Sequence, residues 1–276
     1  MINDVFIISY FGDTPEKITA RSELLILEVT WLFEANPAAR IHIFWQNSAE
    51  SMISDSRITY IIPDDPNKLY NAAEARNELL KYIYASRSEI DEFFLMDDDM
   101  ELKEGSINPF QYIELLHSLH IDFDCLSFIS EREHCIRDGN SLLTKNARIW
   151  SGFLCLKNFW KWYGFEQYFD TSMNCHQDND FGLNLIFNGF HVYMVSNPSH
   201  ISKRGASVMF NGGRDRKVRS LLAKQYMTEK WNQIAGFEVI NPNKLFNTTK
   251  FENRFGKYPS RILLSVTGIP QIIEQR

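Results

Sequence analysis

The chain has 276 residues, of which 44% are hydrophobic, 14% aromatic and 23% charged, with 13 glycines and 9 prolines. That is ample apolar material for a buried core and excludes a fibrous or largely disordered chain. No run approaches 18 consecutive apolar residues, and Met1-Ile2-Asn3-Asp4 puts no basic stretch ahead of an apolar one. Neither a spanning helix nor a secretory leader is expected, and the expected location is the cytoplasm.

The net charge of -6 conceals a polarity along the chain. Residues 1 to 140 carry 11 Lys and Arg against 26 Asp and Glu, whereas residues 141 to 276 carry 18 against 9, and all of that basic excess lies after position 200. Such a split points to a polyanion handled at one end of the molecule, against the alternative of surface charge that merely balances an acidic first half. Cys125, Cys135, Cys155 and Cys175 form no Cys-x-x-Cys pair and no dense framework, which fits buried thiols in a reducing compartment. His134-Cys135 with Cys175-His176 is a weaker zinc alternative, because adjacent ligands are unlike the usual spaced pairs.

In chain order, Val5-Phe6-Ile7-Ile8 reads as a first strand, and Thr14-Pro15-Glu16 as an N-cap with proline at the first helical position. The helix runs toward Asn36-Pro37, which ends it. Strands are expected over 41–45 and 58–62, the second closed by Pro63-Asp64-Asp65-Pro66. Asn71 with Glu74 three residues on is a capping box, and Ala72, Ala75, Leu79, Leu80 and Ile83 follow at helical spacing. Phe93-Phe94-Leu95-Met96 is then a buried strand that stops at Asp97-Asp98-Asp99. This alternation predicts a parallel sheet covered on both faces, with ligands at the carboxyl ends of its strands, where the three aspartates fall. Later strands are expected over 123–129, 150–156 and 191–195, a helix over 178–188 and a basic helix over 215–231. No repeat, low-complexity tract or linker is visible, so one domain with a C-terminal elaboration is the simplest partition.

Three adjacent carboxylates at a strand end repel one another unless a cation offsets them, and Mg²⁺ or Mn²⁺ is a natural partner for Asp97 and Asp99. The alternative is a solvated acidic turn. Gln177-Asp178-Asn179-Asp180 opens a helix, whose N-terminal dipole favours an ionised Asp178 suited to act as a general base; the alternative is a plain N-cap. His200 could be a metal ligand, and Lys203 or Arg204 a phosphate clamp.

Together these features resemble the GT-A superfamily of nucleotide-sugar glycosyltransferases, over roughly residues 1 to 235. The most specific pieces are Ala75-Arg76-Asn77-Glu78-Leu79-Leu80, Phe93-Phe94-Leu95-Met96-Asp97-Asp98-Asp99-Met100, and Asp178-Asn179-Asp180-Phe181-Gly182-Leu183 with Asn188-Gly189-Phe190. Trp150-Ser151-Gly152-Phe153 is similar to the family's small-residue strand facing the sugar.

The resemblance implies a GT-A-like, Rossmann-type mixed α/β sheet, mostly parallel, with helices on both faces and a C-terminal extension. It implies a nucleotide-binding half over 1–100, an acceptor and metal half over 101–235, and an extension over 236–276 packed on them. Asp97 and Asp99 would hold Mn²⁺ or Mg²⁺ on the donor diphosphate, with His200 as third ligand. Arg76 and Asn77 would meet the diphosphate or ribose together with Asp97, Lys203 and Arg204, and Asp64 or Asp65 the base, usually uracil. Asp178 would be the base of an inverting displacement, with Asp180 as its rival, because Gln177 stands where the family usually has Glu. The implied donor is a UDP-sugar, UDP-glucose being favoured. Phage enzymes that modify hydroxymethylated or already glucosylated DNA bases are the subset most similar in length and charge distribution, which would place the chain in the host cytoplasm. A glycan or lipid-linked acceptor is the alternative. A nucleotidyltransferase is a further one, although Gly12 stands without the Gly-rich loop such enzymes carry.

Overall fold

The computed structural model describes residues 2–9, 14–46, 53–65, 68–86, 90–102, 108–128, 140–145, 149, 152–157, 168–173, 175–196, 201–203, 213–235, 259–265 and 271–275. The first half alternates as read from the sequence: β1 (Asp4–Ile8), α1 (Pro15–Ala35), β2 (Arg40–Phe44), β3 (Ile58–Ile61), α2 (Ala72–Ser86) and β4 (Glu92–Asp97). Thr14 caps α1 by accepting from the Lys17 N–H. Then follow β5 (Met100–Leu102), α3 (Pro109–Ser118), β6 (Cys125–Phe128), β7 (Asn140–Lys145), β8 (Phe153–Lys157), α4 (Gln177–Phe187), β9 (Val192–Ser196), β10 (Ile201–Lys203), α5 (Gly213–Ala235), β11 (Pro259–Ser265) and β12 (Gln271–Gln275).

Ten strands form one mixed sheet in the order β12-β11-β7-β9-β6-β8-β4-β1-β2-β3. The pairs among β3, β2, β1 and β4 are all parallel. β8 is inserted antiparallel between β4 and β6, and β6 pairs parallel with β9. β7, β11 and β12 extend the far edge in antiparallel pairs. Following these pairings, β1, β2, β3, β4, β6, β9 and β11 run one way and only β7, β8 and β12 the other, so the sheet is mostly parallel in sense. A small ribbon pairs β10 with β5.

Successive side chains of a strand point to opposite faces, and β4 divides accordingly. Phe93 and Leu95 join a core with Ala75, Leu79 and Ile83 of α2, Phe181 and Leu185 of α4, and Met227 and Trp231 of α5. Phe94 and Met96 join a second core with Leu25, Val29 and Leu32 of α1 and Phe110 and Ile113 of α3. Helices therefore cover both faces, as expected for a sheet whose central strands are continuous apolar runs. Phe94 packs among the rings of Phe110 and Phe153, at centroid separations of 5.0 and 5.2 Å. Cys125 and Cys155 are free thiols buried in these cores, and burial pushes both pKa values up. Cys175 is free and half-buried, and His134 and Cys135 lie outside the described residues. Among the described residues no helix is long and apolar enough to cross a membrane.

Candidate active site

Because β1, β2, β3 and β4 are parallel, their carboxyl ends share one edge, the usual ligand side of such sheets. Ser9 follows β1, Gln46 lies just beyond β2, Asp64 and Asp65 follow β3, and Asp97 ends β4. Gln46 is fully buried and ties this edge together: its amide donates to the Ser9 carbonyl at 2.7 Å and accepts from the Tyr70 N–H at 2.9 Å. Asp64 and Asp65 are exposed.

The approach to α2 is fixed by the capping box expected from its sequence. Asn71 Oδ1 accepts from the N–H groups of Ala73 and Glu74, and Glu74 Oε2 accepts from the Asn71 N–H at 2.9 Å. One turn in, Arg76 Nη2 donates to Asp97 Oδ1 at 2.5 Å, both side chains being buried. Asn77, its neighbour, is spent on architecture. Its amide donates to the Phe169 carbonyl at 2.7 Å and accepts from the Phe169 N–H at 2.9 Å. Phe169 in turn stacks on Phe181 of α4, centroids 4.2 Å apart, so Asn77 locks α2 to α4.

That lock brings Asp178 to the site. It lies in the first turn of α4, half-buried, and its carboxylate feels the charges of Arg76 and Asp97. Burial raises its pKa, against the opposing pull of the Asn179 N–H and Arg76. Its neighbour Asp180 turns the other way. Asp180 is buried, accepts from Trp231 Nε1 at 2.6 Å and from Lys230 Nζ at 2.9 Å, and its pKa is raised by burial. The residue before α4, His176, has a left-handed backbone (φ 62°), uncommon for a residue with a side chain. Its ring is held at both nitrogens, 2.8 Å from Ser220 Oγ of α5 and 3.2 Å from Asn179 Nδ2. The helix closes through Asn188 into Gly189 at φ 86°, the left-handed turn expected of that Asn-Gly pair.

The aspartate triplet splits between two arginines. Asp97 meets Arg76, whereas Asp98 and Asp99 are wholly buried and both bind Arg21 of α1, the Asp99 contact at 3.2 Å. Beside them Glu28, also of α1 and completely buried, accepts the Met100 N–H at 2.9 Å. Burial, with the nearby aspartates, raises the Glu28 pKa well above the ordinary value and so favours its neutral form. Arg21, Glu28 and Gln46 escaped sequence reasoning. The first two had a signal, since Arg21, Leu25, Glu28, Val29 and Leu32 share the buried stripe of α1 and charges on such a stripe need partners.

A divalent ion is the cofactor the resemblance implies, and the described donors do not fit one. Asp97 and Asp99 are directed to different guanidiniums, and among the described residues no three His, Cys, Asp or Glu side chains are grouped so as to hold a metal. The expected third ligand, His200, and Arg204 lie outside the described residues. The segment between them does return to the site: β10 pairs with β5 so that Lys203 lies opposite Met100, next in sequence to Asp99.

No protein-family model matches the sequence, and no curated protein matches it significantly. Solved structures similar in chain path include A197 from STIV, with 12% identity over 74% of this chain and 85% of that one, at a TM-score of 0.41. The inositol-1-phosphate CTP transferase from T. maritima is 9% identical over 79% of this chain and 95% of that one, at 0.45. A Drosophila beta-1,4-galactosyltransferase 7 mutant, in complex with manganese, UDP-Gal and xylobiose, is 14% identical over 78% and 74%, at 0.37.

Proposed function

We propose that this chain is a transferase that moves a sugar from a nucleotide sugar to an acceptor hydroxyl. The observation that carries the reading is the convergence of Arg76, Asp97 and Asp178, from three separate segments, at the carboxyl edge of the parallel strands. Arg76 is the fixed positive charge suited to a diphosphate, and exposed Asp64 and Asp65 stand at the same edge for the base. Asp178 takes the proton of the acceptor hydroxyl as the new bond from that oxygen to the anomeric carbon forms. The bond from carbon to phosphate oxygen breaks with its electron pair, and the nucleoside diphosphate leaves with inversion at carbon. Asp180, committed to Lys230 and Trp231, has no part in this scheme.

UDP-glucose is the favoured donor, on the sequence resemblance, and hydroxymethylated or already glucosylated bases of phage DNA the favoured acceptor, on the basic C-terminal third. The Mn²⁺ or Mg²⁺ implied by the same resemblance would require donors beyond those described.

Calorimetry with UDP, with and without Mn²⁺, followed by a panel of nucleotide sugars scored for hydrolysis and for transfer to hydroxymethylated DNA, tests the reading. Asp178→Asn is expected to keep UDP affinity and to lose turnover by roughly 10² to 10⁴-fold, the usual share of a general base. Absence of nucleotide binding, or full turnover in Asp178→Asn, would sink it. Pyrophosphate-dependent exchange would indicate a nucleotidyltransferase instead.

A further inference from the structure

The turn after β4 is gripped from the α1 face of the sheet. α1 follows the carboxyl end of β1, and its buried stripe brings Arg21 and Glu28 against residues 98–100. Arg21 takes both Asp98 and Asp99, Glu28 accepts the Met100 N–H, and Trp31 Nε1 donates to the Met100 carbonyl at 3.2 Å. Burial opposes the charge of Arg21, but the attraction of Asp98, Asp99 and Asp97 outweighs it and raises its pKa. Of the triplet, only Asp97 is turned toward Arg76 and Asp178. Arg76 itself is fixed: besides Asp97 it meets the Ala72 carbonyl at 3.4 Å, and its guanidinium lies over the Phe169 ring, 5.5 Å from the centroid.

We propose that this chain binds its nucleotide donor without a divalent ion, because the Arg76 guanidinium takes the ion's place at Asp97 and Asp178. The proposal rests on the transferase reading and concerns how the donor site is held together. An ion on a donor diphosphate binds one or two carboxylates and leaves its other positions to phosphate and water, so each protein ligand needs an oxygen that reaches the donor. Asp99, the second member of the Asp-x-Asp pair, does not meet that need: it is wholly buried and directed at Arg21 on α1. Asp97 Oδ1 accepts from Arg76 Nη2, and the same guanidinium is the positive charge that Asp178 feels. A planar guanidinium donates in several directions at once, so it can serve carboxylates on two sides.

The competing arrangement has Asp97 exchange Arg76 for the ion. It would leave a buried guanidinium beside a divalent cation, and Asp98 and Asp99 could not offset the added charge, since Arg21 takes both. Two cations in one buried corner, one of them stripped of its carboxylate, is the costlier arrangement.

The test is calorimetry of UDP on the full chain in excess EDTA and in excess Mn²⁺, for the parent and for Arg76→Met. The two affinities of the parent are expected to agree within about twofold. Arg76→Met bares Asp97 and Asp178, so its UDP affinity should be about tenfold higher in Mn²⁺ than in EDTA. Electron paramagnetic resonance of Mn²⁺ added without nucleotide should show an ion held by Arg76→Met and none held as tightly by the parent. Adding Asp97→Asn to Arg76→Met should abolish that binding. A parent whose UDP affinity rises with Mn²⁺ beyond the twofold margin overturns the proposal and leaves the transferase reading standing. An Arg76→Met protein that folds and ignores Mn²⁺ also overturns it, because Arg76 would then not stand in an ion's place. If circular dichroism shows Arg76→Met unfolded, the two titrations of the parent decide. A parent that binds no UDP under either condition defeats the transferase reading and this proposal with it.

Discussion

Asp178 and Glu28 illustrate two uses of a carboxyl whose pKa is raised by burial. Asp178 retains Arg76 and the Asn179 N–H as counterweights, and a base must be ionised to act. Its activity should therefore fall as pH drops through its pKa, on an acid limb lying above the ordinary aspartate value of about 3.9. A kcat profile shows this limb, and Asp178→Asn should remove it together with most of the rate. Among the described residues Glu28 pairs with the Met100 N–H and with no cation. A group whose folded pKa lies above its unfolded value contributes stability that is present below the unfolded pKa, about 4.3, and lost as pH rises through the folded one. Glu28→Gln keeps an acceptor for the Met100 N–H and cannot ionise. Its melting temperature should be flatter with rising pH than that of the parent, and a parallel decline in both proteins would show that Glu28 is not the titrating group.

Among the elements, the brace between α4, α5 and the segment at 168–173 decides where Asp178 stands. Lys230 Nζ donates to Asp170 and to Asp180, each at 2.9 Å, and Tyr226 OH donates to Asp170 at 3.0 Å. Burial opposes the Asp170 charge, but hydrogen bonds from Ser172 and Lys230 hold its pKa down to about 2. This lowered pKa contributes stability above the unfolded value of about 3.9 that is lost as pH falls toward 2. Lys230→Met should cost about 1–3 kcal/mol at neutral pH, because it leaves Asp170 and Asp180 without their partly buried counter-charge, and should make acid unfolding shallower between those two pKa values. Chemical denaturation across pH measures both effects.

This brace was not legible in the sequence. Asp178 and Asp180 look alike there as two acids at a helix start, and only the packing of Trp231 shows which one faces α5. By contrast, α1, α2 and β4 could be placed from Thr14-Pro15, Asn71 with Glu74, and the apolar run before the triplet, because caps and burial act locally. α3 carried a similar signal in Asn108-Pro109, where Asn108 Oδ1 accepts from the Phe110 N–H at 2.9 Å, but its short apolar stripe was missed. β5 and β10 gave no signal, since a three-residue ribbon depends on a partner some hundred residues away.

At the scale of the molecule, the last two strands extend the sheet. β11 pairs with β7 through five register positions, and β12 forms the edge beyond it. A chain ended at 235 would leave β7 with β9 alone and an unpaired row of backbone groups, the usual template for edge-to-edge association. Because it exposes a strand that the full chain keeps paired on both sides, such a truncation is expected to self-associate more than the full chain on size exclusion. A monodisperse truncated chain would instead support an independent unit over 1–235.

The split aspartate triplet also sets the field a nucleotide meets on approach. Asp97, Asp98, Asp99 and Glu28 are four acids within one corner, but Arg76 and Arg21 contribute two positive charges, and burial favours the neutral form of Glu28. The two guanidiniums therefore offset much of the negative charge that the carboxyls alone would place there. An incoming diphosphate is repelled there less than bare carboxylates would repel it, and its association rate should rise only modestly with ionic strength. Stopped-flow binding of UDP over a range of salt concentrations measures how far the two arginines offset that charge.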